Sequence, residues 1–94
     1  MAEVRAIFNA QGYAERMQRG EFTPHIIWQG RTKRKRKSNL RGTRSQTVEY
    51  RDERSKLIVR VHQNAYPDGR VRGEPDPITL LHNGVLYDAS AEHQ

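Results

Sequence analysis

Two stretches of side-chain alternation constrain this chain more than any other feature. Gln46 to Arg51 and Lys56 to Gln63 alternate with a period of two, and Asp52-Glu53-Arg54-Ser55 between them has the length and polarity of a hairpin loop. A period of two belongs to a strand with one buried face. In Leu57-Ile58-Val59-Arg60-Val61-His62, the residues Leu57, Val59 and Val61 share a face, so Arg60 and His62 project together from the other. Val48 and Tyr50 match the apolar side of the partner strand. With the hairpin in phase, Thr47, Glu49 and Arg51 then stand beside Arg60 and His62.

The segments on either side follow different rules. From Glu3 to Arg19, the residues Val4, Ile7, Phe8, Ala14 and Met17 recur at i, i+3 and i+4 with charges between them, which predicts an amphipathic helix. Gly12 interrupts it at a cost of about 1 kcal/mol relative to alanine, so two short helical turns are the alternative. Gly20 is placed to end the helix. Pro24 opens His25-Ile26-Ile27-Trp28-Gln29, a run of β-branched and aromatic residues that reads as a strand. Its alternation sets His25, Ile27 and Gln29 on one face and Ile26 and Trp28 on the other.

Ser38-Asn39-Leu40-Arg41-Gly42 reads as a loop, and Tyr66-Pro67-Asp68-Gly69 as a turn followed by a short strand at Arg70 to Arg72. Gly73-Glu74-Pro75-Asp76-Pro77 reads as a connector, because two prolines lack the amide donors a ladder needs. Asn83-Gly84 is the dipeptide of a tight hairpin between Ile78 to His82 and Val85 to Tyr87, with a helical turn at Ile78 to Leu81 as the alternative. The expectation is one α+β domain over residues 1–88, with an N-terminal amphipathic helix on an antiparallel sheet of about four to five strands. Residues 89–94 are expected to fray as a polar tail.

A length of 94 residues suits one domain. The apolar fraction is 34%, so the core is thin. With no cysteine, neither a disulfide framework nor a thiolate metal site is available. The start of the chain does not read as a secretion signal, and no window approaches the roughly 18 apolar residues of a membrane span. A cytoplasmic home is expected, or a nuclear one in a eukaryote.

The net charge of +6 is concentrated in one place. Residues 31–44 hold eight of the 17 basic side chains and no acid, which leaves nine basic and 11 acidic residues elsewhere, a balance of −2. The chain is a near-neutral body with a basic strand end and loop protruding from it. Lys33-Arg34-Lys35-Arg36-Lys37 sets like charges side by side, and such a row is relieved by anions. Nucleic-acid phosphates supply them with release of counterions. Arg31, Arg41 and Arg44 extend the patch with groups able to form two-pronged phosphate contacts. Trp28 stands nearby as either a core residue or a base-stacking platform.

The leading expectation is therefore a small basic nucleic-acid-binding protein, RNA ahead of DNA, that contacts phosphates through residues 31–44 and is not an enzyme. Two alternatives stand beside it. Glu49, Arg60 and His62 are the groups a metal-independent ribonuclease of the toxin type needs, with Glu49 or His62 as base or acid and Arg60 and Arg51 on the phosphate. The ordinary reading of these residues is cross-strand pairing of Glu49 with an arginine. Alternatively, the basic loop holds an acidic protein partner or joins a larger assembly. His25, His62, His82 and His93 lack the paired spacing of zinc ligands, so no metal or other cofactor is expected.

Overall fold

The computed structural model describes residues 2–31 and 42–89. It is an α+β fold: two short N-terminal helices pack on one face of a five-stranded antiparallel sheet. The sheet is a simple meander in which each strand pairs with the next in sequence.

Gly12 divides the helical region into two. Helix α1 spans Ala2–Ala10 and α2 spans Tyr13–Gln18, with Gly12 left-handed at φ 65° between them. Gly20 ends α2 at φ 77°. Its N–H reaches the Met17 carbonyl at 3.1 Å, and the Glu21 N–H reaches Arg16 at 3.1 Å, the paired closure that caps orphan carbonyls. The helical periodicity thus survives the break, because Val4, Phe8, Tyr13 and Met17 all face the sheet.

Strands β2 (Arg44–Arg51) and β3 (Leu57–Ala65) form the predicted hairpin, but a register shift between Tyr50 and Arg51 sets Leu57 opposite Arg51, and Ile58 rather than Leu57 packs against the core. The Asp52 carboxylate closes its loop by accepting from the N–H groups of Arg54 and Lys56 at 2.8 and 2.9 Å. Strand β5 (Val85–Asp88) returns along β4 (Val71–His82) through Asn83 and Gly84, both at positive φ as a type I′ turn requires. Strand β1 (Thr23–Arg31) lies along β2 at the sheet edge.

Two further expectations change. The segment Gly73-Glu74-Pro75-Asp76-Pro77 is strand, since β4 runs from Val71 to His82 without interruption. Strand β5 pairs only with residues 79–82, so both prolines lie where β4 has β3 on one side and no described strand on the other. Register shifts between Arg60/Val61 and His62/Asn64 let the ladder tolerate the absent donors there. Ala89, placed by sequence in the polar tail, is buried in the core, and its N–H donates to the Ile78 carbonyl at 2.7 Å. Residues 90–94 lie outside the described residues.

The core joins Val4, Phe8, Tyr13 and Met17 of the helices to Val48, Tyr50, Val59, Val61 and Leu80 of the sheet. Helix α1 lies over β4 and β5. Tyr13 adds a hydrogen bond at 2.8 Å between its hydroxyl and Nδ1 of His82. Among the described residues, no helix is long and apolar enough to cross a membrane.

Candidate functional site

The burial of Val48, Tyr50, Val59, Val61 and Leu80 against the helices fixes which way every other side chain of the inner strands points. Ser45, Thr47, Glu49 and Arg51 of β2 project to the other face with Arg60, His62 and Asn64 of β3. No described element covers that face.

At the edge, β1 departs from plain alternation. Its register on β2 shifts between Ile26 and Trp28: Ile26 opposes Val48, while Trp28 opposes Thr47. Ile27 is the extra residue of a bulge. Trp28 therefore joins His25 on the open face, and Gln29 joins Ile26 on the helix side. This reverses the faces that a period of two assigns to residues 28 and 29. The indole is 54% exposed, so Trp28 is not a core residue. Its ring lies over Gly30, where a Cβ would stand 2.8 Å from Cη2 and Cζ2.

Glu49 is the centre of the open face. One carboxylate oxygen accepts from Nε and Nη2 of Arg60 at 3.0 and 2.6 Å, and the other accepts from the same atoms of Arg51 at 3.2 and 2.8 Å. The carboxylate is 13% exposed, and the two arginines are 33% and 28% exposed. The hydrogen bonds from Arg60, then those from Arg51, hold the Glu49 carboxyl below its ordinary pKa.

A pKa depressed by folding means that ionised Glu49 stabilises the fold. That stability is complete above the ordinary value of about 4.5 and is lost as the pH falls through the folded value. Glu49→Gln is expected to be about 1 kcal/mol less stable than the wild type at about pH 7, given partly exposed charged hydrogen bonds. The gap should narrow when the comparison is repeated at an acidic pH below about 4.5. Urea unfolding at the two pH values measures this, and a gap that widens in acid would contradict it.

His62 lies two residues beyond Arg60 on β3 and pairs in register with Thr47. Its Nε2 and the hydroxyl of Ser45 are hydrogen-bonded at 2.5 Å, which fixes the ring on the face. His25 opposes Glu49 from β1. Two rungs of side chains thus cross three strands: His25, Glu49 and Arg60 in one, Trp28, Thr47 and His62 in the next.

The structure brings together Glu49, Arg60, His62 and Trp28 among the residues singled out from the sequence. Arg31 and Arg44 face each other as the last described pair of the β1–β2 ladder, so the basic segment is the connection of that hairpin. Lys33, Arg34, Lys35, Arg36, Lys37 and Arg41 lie outside the described residues. Ser45 lies one residue before the stretch read as a strand from the sequence, Gln46 to Arg51, and its phase with Thr47 and Glu49 is the signal that finds it. The nearness of His25 to Glu49 was not legible, because it depends on how β1 registers on β2.

The helix-side face carries a separate groove of about 520 Å³ where the helices do not reach. Gln46 donates to Gln29 at 2.7 Å and Gln63 donates to Gln46 at 3.1 Å along its floor, with Tyr50 and Arg44 beside them. It opens away from the Glu49 cluster. Among the described residues, no three His, Asp or Glu side chains converge as a metal site requires. No protein-family model, curated protein or solved structure matches the chain.

Proposed function

We propose that the protein binds single-stranded nucleic acid, RNA ahead of DNA, on the open face of its sheet and along the basic β1–β2 connection. The observation that carries this reading is the exposed Trp28 on a face lined by Arg51, Arg60, His25 and His62. A flat aromatic beside cations is what unpaired nucleotides use: the base stacks, and the phosphate meets guanidinium. Duplex nucleic acid keeps its bases stacked and leaves the indole nothing to receive. The basic connection leaves β1 three residues after Trp28, so one strand can meet both surfaces.

Trp28→Ala is expected to lower affinity for a single-stranded RNA by about 5- to 150-fold, the range of about 1–3 kcal/mol for one base–aromatic stack. Fluorescence anisotropy of a labelled RNA measures the loss, and unchanged affinity would remove the stacking face from the reading. The wild-type indole, the only tryptophan in the chain, should also change its emission on binding.

A further inference from the structure

We propose that the open face cleaves the RNA it holds, with Glu49, Arg51, Arg60 and His62 forming a metal-independent centre for phosphodiester transesterification. The inference rests on RNA binding by the same face. Its geometry comes from the sheet: Glu49 opposes Arg60 and His62 opposes Thr47, so Glu49 and His62 are diagonal neighbours on adjacent strands. Such diagonals set the two residues about 7–8 Å apart along the sheet, with Glu49 held by Arg51 and Arg60 and His62 held by Ser45.

Transesterification needs a proton acceptor at the attacking oxygen and a proton donor at the leaving oxygen, on opposite sides of phosphorus. Glu49 is the carboxylate on this face, with its two oxygens turned to the arginines that would meet the phosphate, and it is the acceptor. His62, fixed on the face by the hydrogen bond between its Nε2 and Ser45, is placed on the other side as the donor. Glu49 takes the proton of the ribose 2′-hydroxyl, the 2′-oxygen bonds to phosphorus, and the bond from phosphorus to the 5′-oxygen breaks. His62 gives that oxygen its proton. The products are a 2′,3′-cyclic phosphate and a 5′-hydroxyl, with Glu49 protonated and His62 neutral until solvent restores them.

The paired arginines have a second consequence. Arg51 and Arg60 each hold one oxygen of Glu49, and an arriving phosphate competes for the same N–H groups. Phosphate binding draws the guanidiniums away from the carboxylate and so makes it more basic when substrate is in place. The two arginines then face the charge that builds on the phosphorus oxygens. His25, opposite Glu49 on the remaining flank, extends the row of donors.

The test uses the full chain, excess EDTA, a labelled single-stranded RNA of mixed sequence and its all-2′-deoxy counterpart. Expected are RNA fragments ending in 2′,3′-cyclic phosphate, and deoxy strands that are bound but intact. A single 2′-deoxy nucleotide should block cleavage at its own position. Glu49→Gln and His62→Asn, near in shape to the native residues, should each slow single-turnover cleavage at saturating protein by about 10²–10⁴-fold. RNA that is bound and stays intact overturns the cleavage inference and leaves the binding reading standing. RNA neither bound nor cut removes both. Cutting that ignores the 2′-deoxy block, or proceeds undiminished in both variants, also overturns the proposed centre.

Discussion

Leu80→Ala is expected to destabilise the protein by about 2–5 kcal/mol, the range for removing a fully buried leucine and leaving part of its volume empty. Leu80 has no exposed surface and lies on β4, the strand that α1 covers and that joins the sheet's first three strands to β5. A domain of this size has roughly 5–15 kcal/mol of stability in all, so the substitution removes a large share of it. The melting temperature should fall by about 8–40 °C, since each kcal/mol shifts it by about 4–8 °C in a domain of up to about 100 residues. Thermal unfolding followed by far-ultraviolet circular dichroism measures this. A fall under about 5 °C would mean that the helices contribute little to holding the sheet.

Replacing Lys33, Arg34, Lys35, Arg36 and Lys37 with serine is expected to have the largest effect on binding. Each phosphate neutralised on a single strand contributes about 0.7 to the slope of log affinity against log salt, so five contacts contribute up to about 3.5. At physiological salt the variant should bind RNA more weakly by up to about 10³-fold, and its salt slope should flatten by the same count. Stability should hold or rise slightly, because five adjacent like charges repel. Affinity and slope both unchanged would exclude this segment from the interface and leave the sheet face as the binding surface.

The hairpin of β2 and β3 was legible because its two faces differ in kind: valines and Tyr50 on one side, Glu49, Arg51, Arg60 and His62 on the other. A register error of one residue would have buried those charges, and the pattern itself excluded it. Asn83-Gly84 and Gly20 were legible for a separate reason, since each position demands positive φ that few other residues accept. Gly73 to Pro77 misled because a proline's missing N–H counts only when a neighbouring strand needs it, and strand neighbours are a tertiary fact. The face of Trp28 misled because a bulge leaves no mark in a run such as Ile26-Ile27-Trp28, where every residue suits a strand. Glu49, Arg60 and His62 could be gathered from the period of one hairpin. The addition of His25 and Trp28 required the third strand.

The bulge at Ile27 also bears on how copies of this chain behave toward one another. Ile26, Ile27 and Trp28 are all about half exposed on an edge strand, an arrangement that invites the edge of a second molecule to continue the ladder and start a fibril. An added strand needs an even row of donors and acceptors. Here the row is broken at Ile27 by the extra residue, Pro24 has no N–H to offer, and Arg31 brings charge to the strand's end. The irregularity that turns the tryptophan outward is thus also a guard against polymerisation, and a chain with Ile27 deleted would present a flatter, more adhesive border.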